Sequence, residues 1–451
     1  MIRRLNLPQR LLVGVTLFGM FFGANGLFFP VHLGQLAGRN LIPAILGFVI
    51  TAVGIPLLGV AAIGMTHSDG LQALAGKVGK GYSRAFTCLL YLMIGPFFVI
   101  PRYAAFAYTT DVAPLLKTEA SAFWSVLLFS AAFFALVLVF SLRPAGIILW
   151  IGKIITPLFL LFLTVLVVFA LANSETSAFS VAPAAAYQNG AFFSALIEGY
   201  GTMDGMAGLA FGIMIIEMIR ALGVKKDPDV AREVLISSLF TGLIMVIIYV
   251  AIIIMGAQSR GVFARSENGV VALTQISAHH LGTAGSMILA VIVTLACLKT
   301  SIVLVTSCAN AFVRMFPKAF GYRVWAILIT AVSFVISNFG LDHITACSLP
   351  VLMFLYPPAI TLILLALSGK LFDHDRAVYV SVTAFTCAAA LFDLIKTLPA
   401  SVRTGLHLDG LVAVAEKYLP LFDQNLGWTV PALIGLCLGL AIRRFRSKAR
   451  R

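Results

Sequence analysis

Charge is what this chain has least of. Asp, Glu, Lys and Arg make up 11% of its 451 residues, and only 18 of them are acidic. An ordinary water-soluble domain carries about a quarter of its residues charged. This chain cannot solvate its own surface, so lipid must replace water around most of it. Histidine is nearly as scarce, with seven residues and no H-E-x-x-H pair, which removes the common helix-borne zinc hydrolase site. His279 and His280 are adjacent but lie in a polar stretch. The six cysteines (Cys88, Cys297, Cys308, Cys347, Cys387, Cys437) all lie in apolar runs without C-x-x-C spacing. They read as small buried hydrophobes, neither metal ligands nor disulfide partners. A phosphate loop is missing too: between Gly70 and Gly76-Lys77 there is one residue too many, and Val78 follows in place of Ser or Thr. The glycines from Gly199 to Gly205 miss the dinucleotide spacing and follow no strand. A nucleotide-driven pump and a membrane-embedded enzyme therefore both lack their chemistry, and no cofactor is expected.

What is present is apolar length. Sixty percent of the residues are hydrophobic, the mean hydropathy is +1.01, and a membrane crossing needs about 20 such residues. Apolar runs bounded by charge, Gly and Pro predict helices near 11–36, 41–66, 84–110, 121–141, 145–172 and 190–219. A second set falls near 231–258, 283–313, 325–345, 347–367, 377–396 and 428–442. The fold class is thus an all-α polytopic membrane protein of about twelve transmembrane helices. The first run resembles a signal peptide but continues to about residue 36 without an A-x-A exit, so it reads as a retained helix. The stretch 262–282 is too polar to span and reads as a helical cap on the outer face, and 397–427 reads as an amphipathic loop.

The net charge of +14 would suit nucleic acid if it clustered on one soluble face. It does not. Arg3, Arg4 and Arg10, then Lys77, Lys80 and Arg84, then Arg220, Lys225, Lys226 and Arg232 fall in loops on one side. Arg314, Lys318, Arg323 and the tail from Arg443 to Arg451 join them. The opposite side holds few: Arg39, Lys117, Arg260, Arg265, Lys396, Arg403 and Lys417. That bias places both termini in the cytoplasm of a bacterial inner membrane. The charge is topological, and neither nucleic acid nor nucleotide is an expected partner.

Two spans carry glycine at mid-membrane depth. The first contains FGMFFGANGLFFP (18–30) and the sixth EGYGTMDGMAGLAFG (198–212). Glycine costs about 1 kcal/mol per helix position relative to Ala, so its concentration beside Asn25 and Asp204 points to local unwinding. Small-residue packing accounts for Gly19 with Gly23, or Gly208 with Gly212, but not for the adjacent polar residues. With five crossings between the two interrupted spans, the second half enters the membrane from the opposite side. Residues 11–172 and 190–367 then form two inverted five-helix repeats, followed by two further helices in 377–442, with cytoplasmic segments 1–10 and 443–451 at the ends. This 5+5 layout resembles LeuT-type transporters, in which half-helix N-termini face a substrate carboxylate and unwound carbonyls face cations. An amino-acid zwitterion suits such a site, with Phe21, Phe22, Phe28, Phe29 and Met203 as apolar walls. A channel is the remaining alternative, although interrupted helices fit alternating access better.

Five segments in order (FFGANGLFFPVHLGQLAG, GFVITAVGIPLLGV, YLMIGPFFVIPR, GYGTMDGMAGLAFG and IRALGV) resemble the branched-chain amino acid:cation symporter family, from about residue 11 to beyond 310. The resemblance implies import of leucine, isoleucine and valine, or of another apolar amino acid such as methionine, driven by sodium. It implies a substrate site of Gly23, Ala24, Asn25 and Gly26 facing Gly199, Tyr200, Gly201, Thr202, Met203 and Asp204. It puts Ala296 and Thr300 at sodium-site positions. Two departures stand out. The family pattern G-A-G-N-L is here Gly23-Ala24-Asn25-Gly26-Leu27, and A-C-L-T-T-A becomes Ala296-Cys297-Leu298-Lys299-Thr300-Ser301. Lys299 thus stands where a hydroxyl is expected, and it opens the possibility of a proton as the coupling ion. Arg102 and Glu198 are further intramembrane charges, and the cost of an unpaired one predicts an Arg102–Glu198 or Arg102–Asp204 pair.

Overall fold

With no water in the hydrocarbon core, each backbone donor must be satisfied within its own helix or by a neighbour that intrudes on it. A computed structural model describes residues 4–66, 68–113, 122–143, 151–174 and 176–449, and among these there are helices and turns but no strand.

The chain opens with α1 (Leu7–Phe21), started by a capping box between Asn6 and Gln9, and continues into α2 (Asn25–Ala37). Helices α3 (Leu41–Val49) and α4 (Ile55–Met65) form the second span around a π turn at Ile50–Gly54. The short α5 (Leu71–Ala75) leads to α6 (Lys80–Leu92) and α7 (Val99–Asp111). Helices α8 (Ala122–Ser141) and α9 (Thr156–Ala172) follow. The first residues of the helices expected at 121–141 and 145–172, and Lys117, lie outside the described residues, as do Arg3, Arg450 and Arg451. The second half comprises α10 (Ala185–Gln188), α11 (Ala191–Glu198), α12 (Asp204–Ala221), α13 (Asp227–Ser259), α14 (Gly269–Met315), α15 (Tyr322–Ser337) and α16 (Leu341–Ser368). The chain closes with α17 (Arg376–Thr397), the short α18 (Ala400–Gly405) and α19 (Asp409–Tyr418) over 397–427, and α20 (Thr429–Ala449). Among the described residues, eight stretches are long and apolar enough to cross a membrane, nine with the bent pair of α11 and α12. Leu7–Phe21 and Tyr322–Ser337 are shorter apolar helices.

Three expectations need correcting. The third span is not continuous: Met93–Phe97 is a π turn in which Gly95 leaves helical geometry (φ −97°, ψ −118°). Pro96 supplies no N–H and crowds the preceding turn, so this span breaks as the first and sixth do. The boundary between the ninth and tenth spans falls at Asn338–Gly340 instead of near 346, because Gly340 takes φ +87°, a conformation open to glycine, and starts α16 there. The last helix expected at 428–442 is longer than foreseen, since α20 runs on to Ala449. The polar stretch at 262–282 is helical from Gly269 and bends sharply at Gly282 (φ +57°) into the membrane part of α14.

Glycines let the helices meet closely. A Cβ at Gly34 would strike the Ile253 carbonyl and one at Gly256 the Val31 carbonyl, so α2 and α13 touch backbone to backbone. Gly208 does the same for α12 against Pro56 of α4, and Gly212 packs on the Ile63 side chain. Leu239, Leu243 and Ile247 project from one face of α13 and stay exposed, as a lipid-facing stripe should. The interior holds Phe18, Phe48, Tyr249 and Tyr356 instead.

Candidate functional site

The break in the first span exposes specific backbone groups. In a continuous helix the Gly19 carbonyl would accept from Gly23 N–H and the Phe22 carbonyl from Gly26 N–H. Here Gly23 N–H turns to Phe21 O (2.8 Å) and Gly26 N–H to Gly23 O (3.1 Å). Both orphaned carbonyls are taken by one side chain. Lys299 Nζ, fully buried on α14, donates to Gly19 O at 2.8 Å and to Phe22 O at 2.5 Å. The Phe159 ring of α9 lies 4.8 Å from the same nitrogen.

The break in the sixth span is a 3₁₀ turn, Gly199–Thr202, followed by Met203 in the left-handed region (φ 61°, ψ 8°) and a 46° bend between the flanking helices. A non-glycine residue there costs about 1–3 kcal/mol unless its surroundings fix it. They do. Gly205 N–H donates to the Tyr356 hydroxyl (3.1 Å), and the Tyr356 ring stacks on Tyr200 with centroids 4.1 Å apart. Asp204, also buried, accepts the Tyr249 hydroxyl at 3.3 Å.

The two breaks meet. Asn25 Nδ2 donates across to the Thr202 carbonyl (3.1 Å), with the Tyr103 hydroxyl at 3.4 Å. Gly23 packs against that hydroxyl, and a Cβ added there would lie 2.6 Å from it. Gly201 packs against Phe29, and Gly199 against Thr51. The Gly26 face lies against Tyr249, while Ala24 is fully buried. Ala296 is buried one turn before Lys299, and the Thr300 hydroxyl beside Gly23 has no partner among the described residues. Between the breaks lies a chamber of about 10 Å³ lined by Met20, Phe21, Ile94, Val99, Phe211 and Leu304, with Thr202, Asp204 and Thr300 as polar edges. That is room for one water at most, so the site is collapsed around its own side chains.

Not every expected wall lines the chamber. Phe22 is drawn into a ring cluster with Phe18, Phe159 and Tyr249. Met20, Ile94, Val99, Phe211 and Leu304 were not foreseen. The signal for the third-span pair was the Gly95-Pro96 dipeptide between them; the others carry none beyond being apolar.

Arg102 departs from expectation. It pairs with neither Glu198 nor Asp204. Its Nη2 donates to the Gly201 carbonyl at 3.0 Å, and its guanidinium lies 5.7 Å from the Phe29 ring and 6.0 Å from that of Phe106. The carbonyl was available because the sixth span is unwound. The stem does not snorkel outward either, since Arg102 is 2% exposed. Beyond it opens a cavity of about 340 Å³, lined by Phe28, Phe29, His32, Glu198, Asn268 and Leu341 among others, towards the end of α2. Near the N-terminus, Arg10 Nε and Nη2 grip fully buried Glu233 at 2.7 and 2.8 Å. Arg314 on α14 pairs with Glu217 on α12 at 2.5 Å, beside a cavity of about 50 Å³. Neither pair was legible in sequence, with partners 223 and 97 residues apart.

Residues 7–446 match the family described as branched-chain amino acid transport protein. The chain belongs to that family. The branched-chain amino acid permease BrnQ of Lactobacillus delbrueckii subsp. lactis is 44% identical over 447 residues, covering 99% of each chain. BrnQ of Bacillus subtilis is 34% identical over 448 residues, covering 99% of this chain and 100% of that one. These family members are named as permeases, not enzymes. Among solved structures, Mhp1, a nucleobase-cation-symport-1 transporter in a closed conformation with bromovinylhydantoin bound, matches with TM-score 0.61 at 16% identity, over 98% of this chain and 93% of its own. MhsT in complex with L-phenylalanine matches with TM-score 0.57 at 16% identity, over 95% and 98%. At that identity the likeness establishes the fold, the LeuT- and Mhp1-type transporter arrangement, and nothing finer.

Proposed function

We propose that this protein is a secondary carrier importing leucine, isoleucine and valine by alternating access, coupled to a cation gradient. The observation that carries the reading is the meeting of the two breaks, tied by Asn25 to the Thr202 carbonyl, over a chamber with aliphatic and phenyl walls. Helices α2 and α12 both begin there, and their N-terminal partial charges favour a carboxylate. Asp204 and the turn carbonyls favour the ammonium. A wall of Met, Ile, Val, Leu and Phe leaves the side chain to be chosen by size and branching, where a missing methylene is worth about 1–3 kcal/mol. The relatives named as branched-chain amino acid permeases support the same substrate class. The positive-inside bias supports a bacterial inner membrane with both termini cytoplasmic, so the 340 Å³ cavity is the outer vestibule and the Arg10–Glu233 pair the inner closure.

The test is exchange of radiolabelled leucine by the purified protein in liposomes, competed by isoleucine, valine and methionine. Branched competitors should displace leucine, and methionine should do so more weakly. Gly23→Leu and Gly201→Leu, which place side chains against Tyr103 and Phe29, should abolish exchange while the protein still inserts. Normal leucine exchange by both variants would sink the shared site.

A further inference from the structure

Carriers of this fold hold their coupling cation on carbonyls freed where a helix unwinds. In this chain the carbonyls freed in the first span are Gly19 O and Phe22 O, and both already accept from Lys299 Nζ. An ammonium carries the same single positive charge as sodium and donates to the same oxygens. The Phe159 ring closes another side of the nitrogen, a placement that favours a desolvated cation. Lys299 has no exposed surface, so its head cannot leave this position for water without a change in how α1 and α14 pack. The residues present therefore do not fit sodium at this place, because a charge of the same sign and size of effect is tethered there.

The groups facing Lys299 leave its positive charge to the two carbonyls. No carboxylate forms an ion pair with it among the described residues. Asp204 on α12 is within electrostatic reach and already accepts the Tyr249 hydroxyl of α13. Cys297 stands on its own helix, and Tyr103 of α7 lies across Gly23. Helices α1 and α9 present Gly19, Phe22, Thr156 and Phe159 at this point, none of them titratable. The ammonium is thus held chiefly by two backbone carbonyls, and these belong to the helix break that must move when the site changes sides.

Resting on the carrier reading above, we propose that Lys299 is a tethered cation that takes the place of sodium on Gly19 O and Phe22 O and makes sodium unnecessary in this protein.

The experiment uses the purified full-length protein in liposomes with choline replacing sodium. Leucine exchange without any gradient should proceed within about twofold of its rate in sodium. Lys299→Thr should gain a dependence on sodium; if that variant fails to insert, the wild-type arms decide alone. Absence of leucine exchange in every buffer overturns the carrier reading, and the lysine proposal with it. Exchange that occurs in sodium but not in choline overturns the lysine proposal alone.

Discussion

Asn25 joins two unwound segments that no backbone bond connects. Its Nδ2 satisfies the Thr202 carbonyl at 3.1 Å inside a region where no water replaces a lost partner. Removing one side of a buried hydrogen bond costs about 1–3 kcal/mol, since the orphaned group pays its full desolvation. Asn25→Ala should therefore weaken leucine binding between about fivefold and a hundredfold, read as a rise in the half-saturating leucine concentration for exchange. Asn25→Asp should do worse, because a carboxylate cannot donate to a carbonyl. An unchanged leucine affinity in Asn25→Ala would show that the bridge is incidental. Lys299 lives under the same rule with higher stakes. A charged residue at the centre of a spanning helix costs about 2.5–3.5 kcal/mol on insertion scales, and two carbonyls with one ring face are what offset it here.

At the level of helices, and in the orientation proposed above, the closures on the two sides are built from different materials. On the proposed outer side, one arginine on α7 reaches the unwound carbonyl of Gly201 and packs between Phe29 and Phe106. On the proposed inner side, α1 is tied to α13 by a two-pronged ion pair in which Glu233 has no exposure. Breaking a buried pair by removing one charge costs about 3–5 kcal/mol, so each closure can be weakened separately. With a reporter cysteine at position 202 in a cysteine-free background, Arg102→Met should speed labelling by an impermeant maleimide from outside. Glu233→Gln should instead slow outside labelling and favour access from the cytoplasm. Equal effects of both changes on outside labelling would refute the division into outer and inner closures. Much of this arrangement was legible beforehand. Glycine density marked the breaks at Gly23–Gly26 and Gly199–Thr202, because glycine at mid-span is costly enough to need a reason. The third break was missed because Met93–Phe97 stays apolar throughout, so hydropathy alone reads straight through a kink made by Gly95 and Pro96. The partner of Arg102 was missed for a different reason: the cost of a buried charge predicts that it is satisfied, but not whether by a carboxylate or by a carbonyl that only the unwound turn exposes.

On the scale of the whole molecule, the volumes state what the transport cycle must do. A cavity of about 340 Å³ lies beside Arg102, a chamber of about 10 Å³ lies between the breaks, and about 50 Å³ remains beside Arg314 and Glu217. No amino acid fits the chamber as it stands, since a single water needs about 10–15 Å³ on the same measure. Binding must therefore separate packed helices, and a close-packed interior resists gradual opening and favours discrete arrangements. In the proposed cycle, widening one side narrows the other. Spin labels at residues 268 and 341 would span the outer vestibule, and labels at residues 72 and 315 the inner cavity, since each pair lines its own opening. Adding leucine should shift the two distance distributions in opposite directions, and Glu233→Gln should bias the protein towards a wide inner and a narrow outer pair before leucine is added. Leucine can shift that equilibrium only by its difference in affinity for the two states, so the size of the shift also measures how unequally the two openings hold the substrate. Simultaneous widening of both pairs would mean a continuous pore, and would replace the carrier by a channel.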